Sequence, residues 1–122
     1  MKLTDLTTGL WVFLAGGLGC TLRYGLGLLL PASRFPWSIF VCNLGGCFLI
    51  GLLAGLWARP TAWQVGLITG LLGGFTTFSS FSQANLKLLS TGSIGSATLH
   101  IALTVGGGLC LTYLGYALVH QD

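Results

Sequence analysis

The sequence predicts an all-α membrane protein of four transmembrane helices, the third of them broken. Of 122 residues, 53% are hydrophobic and only 6% are charged. Soluble domains carry roughly 25% charged residues, so these charges are too few to coat a water-facing surface. The apolar residues fall into four segments, each near the 20 or so residues that a helical span needs. The third holds Gly73-Gly74-Phe75-Thr76-Thr77-Phe78-Ser79-Ser80-Phe81 in its middle, a stretch too polar and too rich in glycine for a plain span.

The first span is expected over about 8–30, ended by Pro31-Ala-Ser-Arg-Phe-Pro36. Its apolar length exceeds the usual 7–15-residue core of a signal peptide, so it reads as a retained helix. Arg23 lies within it. A cation at the centre of a span costs roughly 2.5–3.5 kcal/mol on insertion scales. Two readings stand side by side: the side chain snorkels to the interface, or it forms an electropositive vestibule that concentrates anions.

The second span is expected over about 37–58, where Arg59-Pro60 stops it. It carries Asn43, whose amide offers two donors and one acceptor. The amide either makes an interhelical hydrogen bond or coordinates a passing anion.

The third span, about 62–89, is long for one helix and has the polar stretch at its centre. Gly70, Gly73 and Gly74 are weak helix formers, and Thr76, Thr77, Ser79 and Ser80 compete for backbone hydrogen bonds. A break near 73–77 follows, and in lipid such a break must face protein, water or an ion. Beyond it, Phe78 and Phe81 are three apart and share a helix face. They serve as packing, or they turn their partially positive ring edges toward an anion among the neighbouring hydroxyls. Ser90-Thr-Gly-Ser93 makes a turn, and the last span is expected over about 94–119.

The whole chain, 1–122, reads as a single four-span domain. Its 20 glycines recur at four-residue spacing, as in Gly51/Gly55 and Gly66/Gly70, which lets helices approach closely in a bilayer. A bundle this small is expected to need a partner subunit to enclose a site.

The scattered cations Lys2, Arg23, Arg34, Arg59 and Lys87 make no nucleic-acid footprint. The two acids, Asp5 and Asp122, lie near the chain ends. Cys20, Cys42, Cys47 and Cys110 form no CxxC pair and read as small buried hydrophobes. His100 and His120 lack metal-ligand spacing. No nucleophile–base–acid set can be assembled, so no enzyme is expected. Lys2 and Arg59 would share one side of the membrane, with Arg34 and Lys87 on the other. Orientation follows loop Lys and Arg; this even split predicts insertion both ways and antiparallel pairing.

Three stretches together resemble the Fluc/CrcB family of fluoride channels. The family's GGxxGAxxRY is approximated by Gly16-Gly17-Leu-Gly19-Cys20-Thr-Leu-Arg23-Tyr24, and its NxxGxF by Asn43-Leu-Gly-Gly46-Cys-Phe48. Its GGxTTFSTF signature is similar to Gly73 through Phe81. The resemblance covers essentially the whole chain. It implies passive fluoride export from the bacterial cytoplasm across the inner membrane, lowering fluoride toxicity, through two pores of a dual-topology antiparallel homodimer. Asn43, Phe78 and Phe81 would line each pore with the hydroxyls of Thr77 and Ser80 beside them, and Arg23 would stand near the aqueous entrance. It further implies a structural sodium ion at the dimer centre, held by the backbone carbonyls of Gly73 and Thr76.

The chain departs from the family pattern in several places. Ser38-Ile39 stands where Gly-Thr is frequent, and Ala84 replaces an acid. His100, Thr104 and Gly108 occupy the places of a tyrosine followed by serines. The competing readings are a proton-coupled small multidrug exporter, also a dual-topology dimer, and a purely structural membrane subunit. The exporter needs a membrane-embedded carboxylate, and no expected span holds one.

Overall fold

The computed structural model describes residues 2–120; Asp122 lies outside them. Every regular element among these residues is helical. Helix α1 covers Leu3–Leu29, α2 Trp37–Leu56 and α6 Ile94–Val119. The third span, Ala62–Ser90, is assembled from α3 (Ala62–Val65), a π-helical segment over Gly66–Leu72, α4 (Gly73–Phe75) and α5 (Phe78–Ser90). Four helices are long and apolar enough to cross a membrane, and large apolar side chains such as Phe13, Leu29 and Leu109 face outward.

Local chemistry sets the ends. Helix α1 starts five residues before the expected boundary, because hydropathy marks the lipid edge while a helix ends where its backbone is capped. The Asp5 carboxylate accepts from the Lys2 N–H at 2.8 Å, satisfying one of the free amides of the first turn. At α3, Gln64 reaches back to the Thr61 N–H (2.7 Å) and hydroxyl (3.0 Å). Helix α5 ends at Ser90, and Gly92 just past it has φ of 75°. There the Ser93 N–H turns back to the Leu88 carbonyl at 2.8 Å, a C-terminal cap that favours glycine.

Two helix pairs form the bundle: α1 against the first half of the third span, and α2 against α6. Both rest on missing side chains. A Cβ on Gly66 would meet Trp11, one on Gly70 would meet Val12, and one on Gly74 would lie 2.6 Å from the Gly16 carbonyl. Across α2 and α6, a Cβ on Gly51 would strike Thr112, and one on Gly115 would strike Phe48. Glycine at these spacings brings backbone against backbone, where lipid-embedded helices gain their packing.

Candidate functional site

The two halves of the third span meet at Thr76 and Thr77. Helical bonding reaches the Thr76 N–H, which donates to the Leu72 carbonyl at 2.9 Å. Thr76 then turns extended (φ −82°, ψ 155°) and Thr77 follows (φ −158°, ψ 120°). Such backbone at membrane depth needs partners for its polar groups, and three side chains supply them.

Asn43, buried on α2, acts as a splint. Its Oδ1 accepts from the Thr77 N–H at 2.7 Å and its Nδ2 donates to the Thr77 carbonyl at 3.1 Å. A backbone N–H can only donate and a carbonyl only accept, so this pairing fixes which way the amide points. Thr77 caps α5, its hydroxyl accepting from the Ser80 N–H at 3.1 Å. Arg23, half-buried on α1, turns inward. Its Nε donates to the Gly74 carbonyl at 3.1 Å and its Nη1 to the Ser80 hydroxyl at 3.2 Å.

These partners decide which carbonyls are left over. In a continuous helix Gly73 would receive the Thr77 N–H and Thr76 the Ser80 N–H. The first has gone to Asn43 and the second to the Thr77 hydroxyl. Gly74 has taken Arg23 instead. The carbonyls of Gly73, Phe75 and Thr76 thus lose the amides that a continuous helix would have given them.

The interruption opens onto a groove of about 410 Å³ between α2, α5 and α6. Asn43, Thr77, Phe78 and Phe81 line it, with Thr104 and Thr112 on the opposite wall. The two phenyl rings lie 5.4 Å apart, tilted at 40°. Phe81 is buried, whereas Phe78 is 76% exposed. Gly73 and Thr76 border the same groove, while Arg23 and Ser80 hold the far side of the interruption against α1.

On α6, His100, Thr104, Gly108 and Thr112 recur every four residues and so share one face. Thr112 is anchored to the Cys47 carbonyl at 3.1 Å. Thr112 and the Asn85–His100 contact at 3.2 Å are elements that motif reading passes over. The four-residue recurrence of polar or small side chains on the last span is the signal that would have found Thr112.

Four apolar helices long enough to span a membrane, with a groove between them lined by amide, hydroxyl and ring groups, define a multi-pass membrane protein. The chain belongs to the CrcB family: residues 10–116 match the family described as CrcB-like protein, Camphor Resistance (CrcB). It is similar to the fluoride-specific ion channel FluC of Bordetella avium (strain 197N), with 42% identity over 88% of this chain and 92% of the relative. The protein of that name from a strain of Thermus thermophilus is 46% identical, over 89% of this chain and 92% of its own. That from Flavobacterium psychrophilum is 41% identical, over 91% and 95%.

Proposed function

We propose that this protein is a fluoride-selective channel that lets fluoride leave the bacterial cytoplasm passively across the inner membrane. The observation that carries the reading is the groove, where Asn43, Phe78 and Phe81 converge on the interrupted span. Relatives identical to it at more than two-fifths of the aligned positions are named fluoride-specific ion channels.

Fluoride is small and strongly hydrated, so its water must be replaced by several weak donors that also let it go. The Asn43 nitrogen has two hydrogens, one engaged by the Thr77 carbonyl and a second for the anion. Phe78 and Phe81 present partially positive edges. Thr77 and Ser80 act largely through the backbone and through Arg23, since their hydroxyls are engaged there. Arg23 places positive charge behind the interruption, which favours anion entry without offering a full charge in the path.

The functional unit in this reading is an antiparallel dual-topology homodimer with two pores. The even split of Lys2 and Arg59 against Arg34 and Lys87 supports it, as does the exposure of Phe78, which a second subunit would cover. The released carbonyls of Gly73 and Thr76 would hold a structural sodium ion on the two-fold axis, two from each subunit. That ion would tie the subunits together electrostatically and takes no part in the anion's movement.

Purified protein in liposomes is expected to pass fluoride far faster than chloride, read with ion-selective electrodes. Equal rates would overturn the selectivity, and no flux would overturn the channel.

A further inference from the structure

One buried ring lies behind Phe81, which lines the groove. His100 is fully enclosed, with Phe35, Phe40 and Phe81 at ring-centroid distances of 5.3, 6.2 and 5.1 Å. Its tautomer follows from its neighbours. Asn85 Nδ2 donates to the Phe81 carbonyl at 2.8 Å, which leaves Asn85 Oδ1 facing His100 Nδ1 at 3.2 Å. That oxygen has only lone pairs to offer, so Nδ1 carries the hydrogen. A neutral imidazole has one N–H, and Nε2 is therefore a bare acceptor. It is buried and has no hydrogen-bond partner. One turn along α6, the Thr104 hydroxyl is also buried without a partner, and Thr104 lines the groove.

A proton on Nε2 would turn this orphan acceptor into a donor and the ring into a cation. A buried cation needs a counter-charge, and none is fixed nearby. The side chains against the ring are Asn85 and Phe81 from α5, Phe40 from α2 and Phe35 from the 31–36 connection. The ionisable groups on those elements are Lys87, Cys42, Cys47 and Arg34. Lys87 and Arg34 are cations that line a separate cavity of about 430 Å³, and Cys42 and Cys47 are free thiols. The turns of α6 around His100 hold no ionisable side chain. Among the described residues the one carboxylate is Asp5, in the first turn of α1 at the other end of the bundle. Any counter-ion must be mobile, and the groove beyond the Phe81 ring is the proposed path for anions.

We propose that His100 Nε2, enclosed behind the Phe81 ring that lines the groove, is a proton-binding site whose occupancy is cooperative with that of fluoride in the groove. The inference rests on the channel reading above. The proton comes from hydronium, which is left as water, and forms an N–H bond at the free lone pair, while fluoride supplies the compensating charge. Binding linkage is reciprocal: acid tightens fluoride, and fluoride raises the protonated fraction of the ring at fixed pH.

Two measurements test it. In liposomes at symmetric pH 5.5 and 7.5, with permeation of hydrogen fluoride subtracted using protein-free vesicles, the apparent fluoride affinity of the wild type is expected to tighten several-fold in acid. His100→Gln is expected to abolish that dependence. On the wild type, imidazole nitrogen spectra, assigned by comparison with His120→Gln, are expected to show fluoride increasing the protonated fraction of His100 where chloride does not. A pH dependence retained in His100→Gln, or a ring whose protonation ignores fluoride, overturns the proposal while leaving the channel intact. Absence of fluoride flux in the wild type at both pH values would overturn the channel reading, and this inference with it.

Discussion

Asn43 and the two phenylalanines divide the labour of the site among different physical demands. The amide of Asn43 holds both polar groups of the Thr77 backbone. Asn43→Ala would leave the half-buried Thr77 N–H and carbonyl without this partner, at up to about 1–3 kcal/mol each. The expected result is a lower melting temperature in detergent together with loss of flux. An unchanged melting temperature would remove the splint role. Phe78 is exposed while Phe81 is buried, so isoleucine at the two positions should act differently. Phe78→Ile is expected to depress fluoride flux with stability unchanged. Phe81→Ile should lower both, since the ring packs on His100 at 5.1 Å. Normal flux in the two variants would take the rings out of the pathway.

The interruption of the third span couples elements that the chain keeps far apart. Helix α1 contributes Arg23 to the Gly74 carbonyl, and α2 contributes Asn43 to Thr77. The glycine contacts seat the first half of the span deeply enough for these reaches. Gly74→Ala therefore tests the geometry: its Cβ would lie 2.6 Å from the Gly16 carbonyl, forcing α1 outward and pulling Arg23 with it. Overpacking of this kind typically costs about 1–3 kcal/mol. Reduced thermal stability and reduced flux are expected together. Gly17→Ala on α1, where a Cβ has open space, should leave both near wild type and serves as the control.

For the molecule as a whole, the even distribution of Lys and Arg predicts two orientations in one membrane. Reporters fused at the C-terminus, one active only in the cytoplasm and one only outside it, should both give signal. Adding two lysines to the connection around Arg59 should fix one orientation and, if the proposed antiparallel dimer is the functional unit, abolish fluoride resistance in cells. Signal from one reporter alone in the wild type would reject dual insertion.

The four spans were legible in the sequence, because lipid imposes its length and apolarity residue by residue and leaves little to context. Motif spacing likewise singled out Asn43, Phe78 and Phe81. Spacing could not show that the Asn43 amide would be taken up by Thr77, that Arg23 would turn inward to Gly74 and Ser80, or that Asn85 would set the tautomer of His100. Those pairings join residues 34, 51, 57 and 15 positions apart. Hydrogen bonds are short and directional, so which donor meets which acceptor was decided only when the glycine-lined helices closed on one another.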